Sequence, residues 1–273
     1  MQPGIISPRA GIDSVKPSTL VFHRVSSHTA INAITPPYQT TSTSPVSASF
    51  EVQEWIYTGK LWDVYRGSLR ITDHNAPPLS LVLKIMKPMS SQPSGNSEDD
   101  EESSFGALSY HPSEYRDEHA AVKAAYNEDT MYHHLLNLQG SVIPNYHGLF
   151  VWPSSEEGDT QLPGLMAMLL EDLGKQILPN RMHSTDVSEE ECKQIQRIYD
   201  QLHEEAKIVH VFPQLWHILR RKGTESGDPN HFIVIDFANA RSISDEAVSE
   251  ERRGRLLKLD RCRLGMSFST HKW

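Results

Sequence analysis

The chain has 273 residues, 38% hydrophobic and 22% charged, with a formal net charge of -9. That length suits one two-lobed domain or two small ones with a real core, and the acidic balance speaks against a nucleic-acid or anionic-membrane surface. Two cysteines, Cys192 and Cys262, without a Cys-x-x-Cys spacing argue against a disulfide framework or a zinc finger.

No apolar run is long enough to span a bilayer. The opening MQPGIISPRAG lacks the apolar centre of a secretory leader, so cytosol or nucleus is expected, with no membrane partner. Residues 1–48 are rich in Ser, Thr and Pro. With a mean hydropathy of -0.48 for the whole chain, such a stretch buries too little apolar surface to offset chain entropy, and a disordered tail is expected. The acidic, serine-rich block at 89–109 reads as a second disordered segment, an insertion.

Between these blocks, Glu54–Gly59 and Lys60–Gly67 are β-prone runs joined at Gly-Lys, a hairpin. Leu79–Met86 reads as a strand after the Pro77-Pro78 break. Leu79, Leu81, Leu83 and Ile85 share one face, and Val82, Lys84 and Met86 the other. A helix is expected from about Glu114 to Leu138, stopped by Gly140, with Ala121, Ala125, Glu128, Tyr132 and Leu135 on one stripe. Tyr146–Trp152 and Leu165–Leu170 read as a buried hairpin, and Glu171-Asp-Leu-Gly174 breaks the pattern.

Ser188 with Glu191 makes a capping-box pattern. Ile195, Ile198, Tyr199 and Leu202 then repeat at helical spacing. Short strands are expected at Trp216–Leu219 and Phe232–Phe237, and a charged helix from about Asp245 to Leu264.

Two charges fall where charge is costly. Lys84 sits inside an apolar strand and Glu128 on the apolar stripe of a helix. Either alone could snorkel to water or lie at the edge of its stripe. Together each supplies the other's missing partner, an arrangement that positions the phosphates of ATP in protein kinases. Asp236 ends the Phe-Ile-Val-Ile run, where a carboxylate could meet Mg²⁺ or simply shape a turn.

Taken in order, these residues resemble the protein kinase-like superfamily over about Phe50–Ala240. The hairpin Trp55–Gly67 stands where that family has its glycine-rich loop. Lys84 and Glu128 match its lysine–glutamate pair, and Asp236-Phe237-Ala238 its metal-binding Asp-Phe-Gly. Met168, Glu171 and Leu173 match the strand end and hinge whose backbone would meet adenine. The phrase Leu138-Gln139-Gly140 with Ile143-Pro144, preceded by Tyr132-x-x-Leu135, is similar to short kinase-like proteins of fungi.

The resemblance implies an α+β, two-lobed fold. A small antiparallel-sheet N-lobe with one long helix would span 49–174 with the hinge, and a reduced, mainly helical C-lobe 175–273. It implies ATP and Mg²⁺ as cofactors, with Asp236 and His217 at the metal.

The departures shape the functional expectation. The family's catalytic loop reads His-x-Asp, then Asn or His. Here His210 is kept, Phe212 stands at the aspartate position and His217 at the second metal-ligand position. Phenylalanine can neither accept nor orient a substrate proton. Gly59 and Gly67 make a poor phosphate-covering loop. Only 37 residues follow Asp236, with no Ala-Pro-Glu segment. The expected function is a pseudokinase keeping an ATP/Mg pocket, with an unknown protein partner. The alternatives are an active phosphotransferase with an atypical loop, or a purely structural interaction protein with a closed pocket.

Overall fold

The computed structural model describes residues 48–59, 61–71, 77–86, 118–153, 163–176, 187–225, 228, 230–244 and 248–269. The expected acidic insertion lies outside these residues, as does the expected tail except Ala48, which opens the first strand.

The described chain is α+β. In order come β1 (Ala48–Thr58), β2 (Asp63–Ile71), β3 (Leu79–Met86), α1 (Glu118–His134), β4 (Tyr146–Pro153) and β5 (Pro163–Glu171). Then follow β6 (Gly174–Gln176), α2 (Glu189–Glu204), β7 (Ile208–Val209), β8 (Ile218–Arg221), β9 (Phe232–Val234), β10 (Arg241–Ser242) and α3 (Glu250–Ser269). Two compact units emerge. One comprises the chain up to Val122 with Gly148–Leu169, the other Lys123–His147 with the chain from Leu170 onward.

The first unit is built on a five-stranded antiparallel sheet of order β1-β2-β3-β5-β4. The Gly59 N–H donates to the Trp62 C=O at 2.8 Å and closes the β1–β2 turn. Alternation along β3 sends Leu81 and Leu83 into a core with Phe50, Ala167 and Leu169. Each large side chain buried there contributes roughly 1.5–3 kcal/mol. Leu79, expected on that face, is exposed at the strand's start.

Gly67 has a packing role. A Cβ there would lie 2.2 Å from the Glu51 carbonyl oxygen and 2.5 Å from the Phe50 ring. The register of β1 against β2 also slips between Val52 and Glu54, beside Gly67.

The second unit carries two small sheets, β10-β7 and β6-β8-β9. Ser188 caps α2 in a full capping box with Glu191, and Ile195, Ile198, Tyr199 and Leu202 are buried along its inner face. Gly174 stands at φ +134, where a Cβ would meet the Arg220 carbonyl oxygen at 2.5 Å, so the β6–β8 pairing needs glycine.

Several boundaries differ from the sequence expectation. Helix α1 ends at His134. The chain then tightens into a 3-10 turn, with the Leu138 N–H on the Leu135 C=O, before Gly140 turns at φ +73. β8 begins only at Ile218, because Leu215–His217 coil into a 3-10 turn. β9 ends at Val234, and Asp236 leaves strand geometry at φ 69. Helix α3 starts at Glu250, where the Ser249 hydroxyl accepts from the Arg252 N–H.

Gly67→Ala is expected to lower stability by about 2–3 kcal/mol through overpacking against Phe50. Urea denaturation followed by circular dichroism measures it.

Candidate functional site

In the second unit, His210, Phe212 and His217 lie on the loop 210–217 between β7 and β8, and Asp236 on the segment 235–240 after β9. A column of rings joins these segments to α1. Tyr132 stacks on Tyr146 at 4.9 Å and meets Phe237 edge-on at 5.4 Å. Phe237 meets the His210 ring at 5.3 Å. Such pairs each add about 0.5–1.5 kcal/mol beyond area burial. Asn127, one residue before Glu128, donates its side-chain amide to the carbonyls of Ala238 at 2.9 Å and Ala240 at 3.0 Å. The segment after Asp236 is thereby fixed from the helix.

Asp260 of α3 anchors the other side and is 1% exposed. Its Oδ2 accepts the His210 backbone N–H at 3.0 Å and the His203 Nε2–H at 2.8 Å. His210 in turn donates Nε2–H to the Ile235 C=O at 3.0 Å, while its Nδ1 is buried without a hydrogen bond. Burial first, then the neighbouring His217, push the His210 pKa below its usual value, against the opposing pull of Asp260 and Asp236.

The loop itself is strained and gripped. Val211, a β-branched residue, sits at φ 71, a conformation that costs about 1–3 kcal/mol. Arg263, one turn beyond Asp260 on α3, donates to the Val211 C=O and lays its guanidinium 4.3 Å from the centre of the Phe212 ring. Phe212 is thus a ring held against a cation.

His217 follows. Its Nε2 lies 3.0 Å from Asp236 Oδ2 and its Nδ1 3.1 Å from the Phe212 carbonyl oxygen. Both ring nitrogens thus face oxygen atoms.

The expected metal residues, Asp236 and His217, are brought together, but as partners of each other. Mg²⁺ takes oxygen ligands and dehydrates reluctantly, whereas this pair offers one carboxylate and one imidazole. Among the described residues no group of three His, Cys, Asp or Glu side chains could hold a metal ion. The donor set does not suit Mg²⁺.

Lys84 belongs to the first unit and is 6% exposed on β3. Its Nζ lies 5.5 Å from the centre of the Trp62 ring. Glu128 belongs to the second unit and is wholly buried on α1. Both charges are buried, as their sequence context indicated.

Met168 is buried in β5. The Glu171 carboxylate accepts from the backbone and side-chain amides of Asn145, at 3.0 and 2.8 Å. The Glu171 N–H goes to the Asn145 C=O, and the Leu173 C=O accepts from the Lys222 N–H. These bonds tie Glu171 to Asn145 and Leu173 to Lys222.

A cavity of about 450 Å³ lies elsewhere in the second unit, lined by His203, Lys207, Arg253 and Arg261 among others. Both arginines are already paired with carboxylates, Arg253 with Glu250 and Arg261 with Asp200. It shares no lining residue with the loop 210–217.

Sequence reasoning missed Asn127, Asp260 and Arg263. A signal for Asp260 existed: Leu256, Asp260 and Leu264 repeat at i, i+4 and i+8 in a helix. The argument that singled out Glu128 applies there unchanged. No family model matches the chain, and no curated protein matches it.

Asp260→Ala is expected to cost about 3 kcal/mol, because it orphans the buried His210 N–H and loses two charge-assisted hydrogen bonds. Thermal and urea denaturation measure the loss. For His210 the folded pKa is depressed, so the unfolded chain takes up a proton that the folded one refuses. Stability is expected to fall as pH drops from neutral to about 5, and His210→Gln to flatten that slope in denaturation curves recorded across the range.

Proposed function

We propose that the chain is a protein kinase-like pseudokinase, a two-lobed nucleotide-binding fold that has given up phosphoryl transfer. The observation that carries this reading is the loop from His210 to His217. Phe212 packs under Arg263 where a proton acceptor would be required, and His217 is bonded to Asp236 where a metal would be required. Phosphoryl transfer rests on positioning, a base and metal neutralisation of developing charge. General-base help alone is worth about 10²–10⁴ in rate.

The frame around the missing chemistry is intact, which favours a retained binding role over a collapsed relic. His210, Phe237 and Tyr132 form one column, and Asn127 and Asp260 fix the two segments that bear it. Lys84, buried on β3 beside the Trp62 indole, is the residue proposed to meet nucleotide phosphate, because it stands where the kinase-like resemblance places the phosphate-positioning lysine. Leu173 and Glu171 are proposed to contribute backbone groups at the adenine, as the kinase-like resemblance implies.

Titrating ATP into the full chain while following thermal unfolding tests this. A ligand confined to the folded state adds about 2.7 kcal/mol at a hundredfold excess over Kd. The wild type is expected to rise in Tm and Lys84→Met to lose the rise, with no phosphate transfer detected in either. Absence of any shift at millimolar ATP would sink the nucleotide reading, and ATP turnover by the wild type would sink the pseudokinase reading.

A further inference from the structure

We infer that His217 fills the metal's place in this loop, so that the second unit offers no divalent-cation site at Asp236. Resting on the nucleotide reading above, the corollary is that nucleotide binds as the metal-free anion.

The geometry supports this in three respects. First, the imidazole is held at both ends, by Phe212 O at 3.1 Å and Asp236 Oδ2 at 3.0 Å. It is also flanked by the rings of His210 at 5.4 Å and Trp216 at 5.8 Å. A cation approaching Asp236 Oδ2 must displace a side chain that is 15% exposed and fixed on several sides.

Second, displacement gains the cation little. The group that replaces the lost donor is a nitrogen ligand, and Mg²⁺ prefers oxygen. Third, Asp236 itself adopts a left-handed backbone at φ 69, which aspartate tolerates. That conformation accompanies the His217–Asp236 contact seen here. At a position where the resembled family carries Asn or His, this histidine therefore sets an endogenous hydrogen-bond partner against Asp236 in place of an exogenous cation.

The test uses Mn²⁺ alone as probe, because it occupies oxygen sites and its free form is counted directly by electron paramagnetic resonance. Full-length wild type, Asp236→Ala, His217→Asn and the double variant are titrated with Mn²⁺. Wild type and Asp236→Ala are expected to bind Mn²⁺ equally, which subtracts the diffuse uptake of an acidic chain. His217→Asn, which restores an amide oxygen, is expected to bind about tenfold tighter, and the gain should vanish in the double variant.

Wild-type affinity that falls on Asp236→Ala would overturn the inference, as would a folded His217→Asn with no gain. Should His217→Asn fail to fold, His217→Asp takes its place, and the wild type against Asp236→Ala still decides. ATP shifts measured with Mg²⁺ and with chelator then address the corollary. Equal shifts support it and a shift only with Mg²⁺ refutes it. No shift in either condition sinks the nucleotide reading and its corollary, leaving the Mn²⁺ result to stand alone.

Discussion

A single buried carboxylate organises the second unit. Asp260 brings a negative charge into a place where water cannot solvate it, and it is stabilised through the two hydrogen bonds it receives from His203 and the His210 backbone. Those bonds tie α2, the loop after β7 and α3 to one point. From there the order passes outward through the His210 ring to Phe237 and Tyr132. The strained Val211 backbone persists only because Asp260 on one side and Arg263 on the other over-determine it. A carboxylate in this setting is better regarded as a device of specificity than of net stability, since desolvation offsets much of what its hydrogen bonds contribute.

This arrangement separates two things usually found together. On the reading proposed above, the scaffold that would aim a catalytic loop is kept, while the groups that would act chemically give way to ones that bind the protein to itself, Phe212 to Arg263 and His217 to Asp236. The loop's oxygens at Val211 and Phe212 both have donors, while the His210 Nδ1 and the Asp260 Oδ1 are buried without a hydrogen bond.

Much of this was legible in the residues. The alternation of β3, the capping box at Ser188 and the stripe holding Ala125, Glu128 and Tyr132 follow from period and local hydrogen bonding, and the structure carries all three. What was not legible depends on contacts between distant parts of the chain. Nothing local to Gly67 announces that the Phe50 ring lies against it. Nothing in Trp216–Leu219 announces a 3-10 turn, because that turn is set by where His217 must reach. Asn127 looks like an exposed helix residue until its three carbonyl neighbours, all more than a hundred residues away, are seen.

The grip of α3 on the loop also orders events in time. The loop's two anchors lie 50 and 52 residues downstream of the backbone groups they hold. Closing a segment of that length costs entropy before any contact repays it, so such pairings form late in folding. During synthesis, α1, the sheets and α2 emerge from the ribosome first, and the loop has no reason to hold Val211 in its left-handed conformation until Asp260 and Arg263 arrive. A nascent chain halted before residue 260 would therefore display a nearly finished scaffold around a floppy loop, open to chaperones and proteases at His210–His217. Completion of α3 is the event that closes that window.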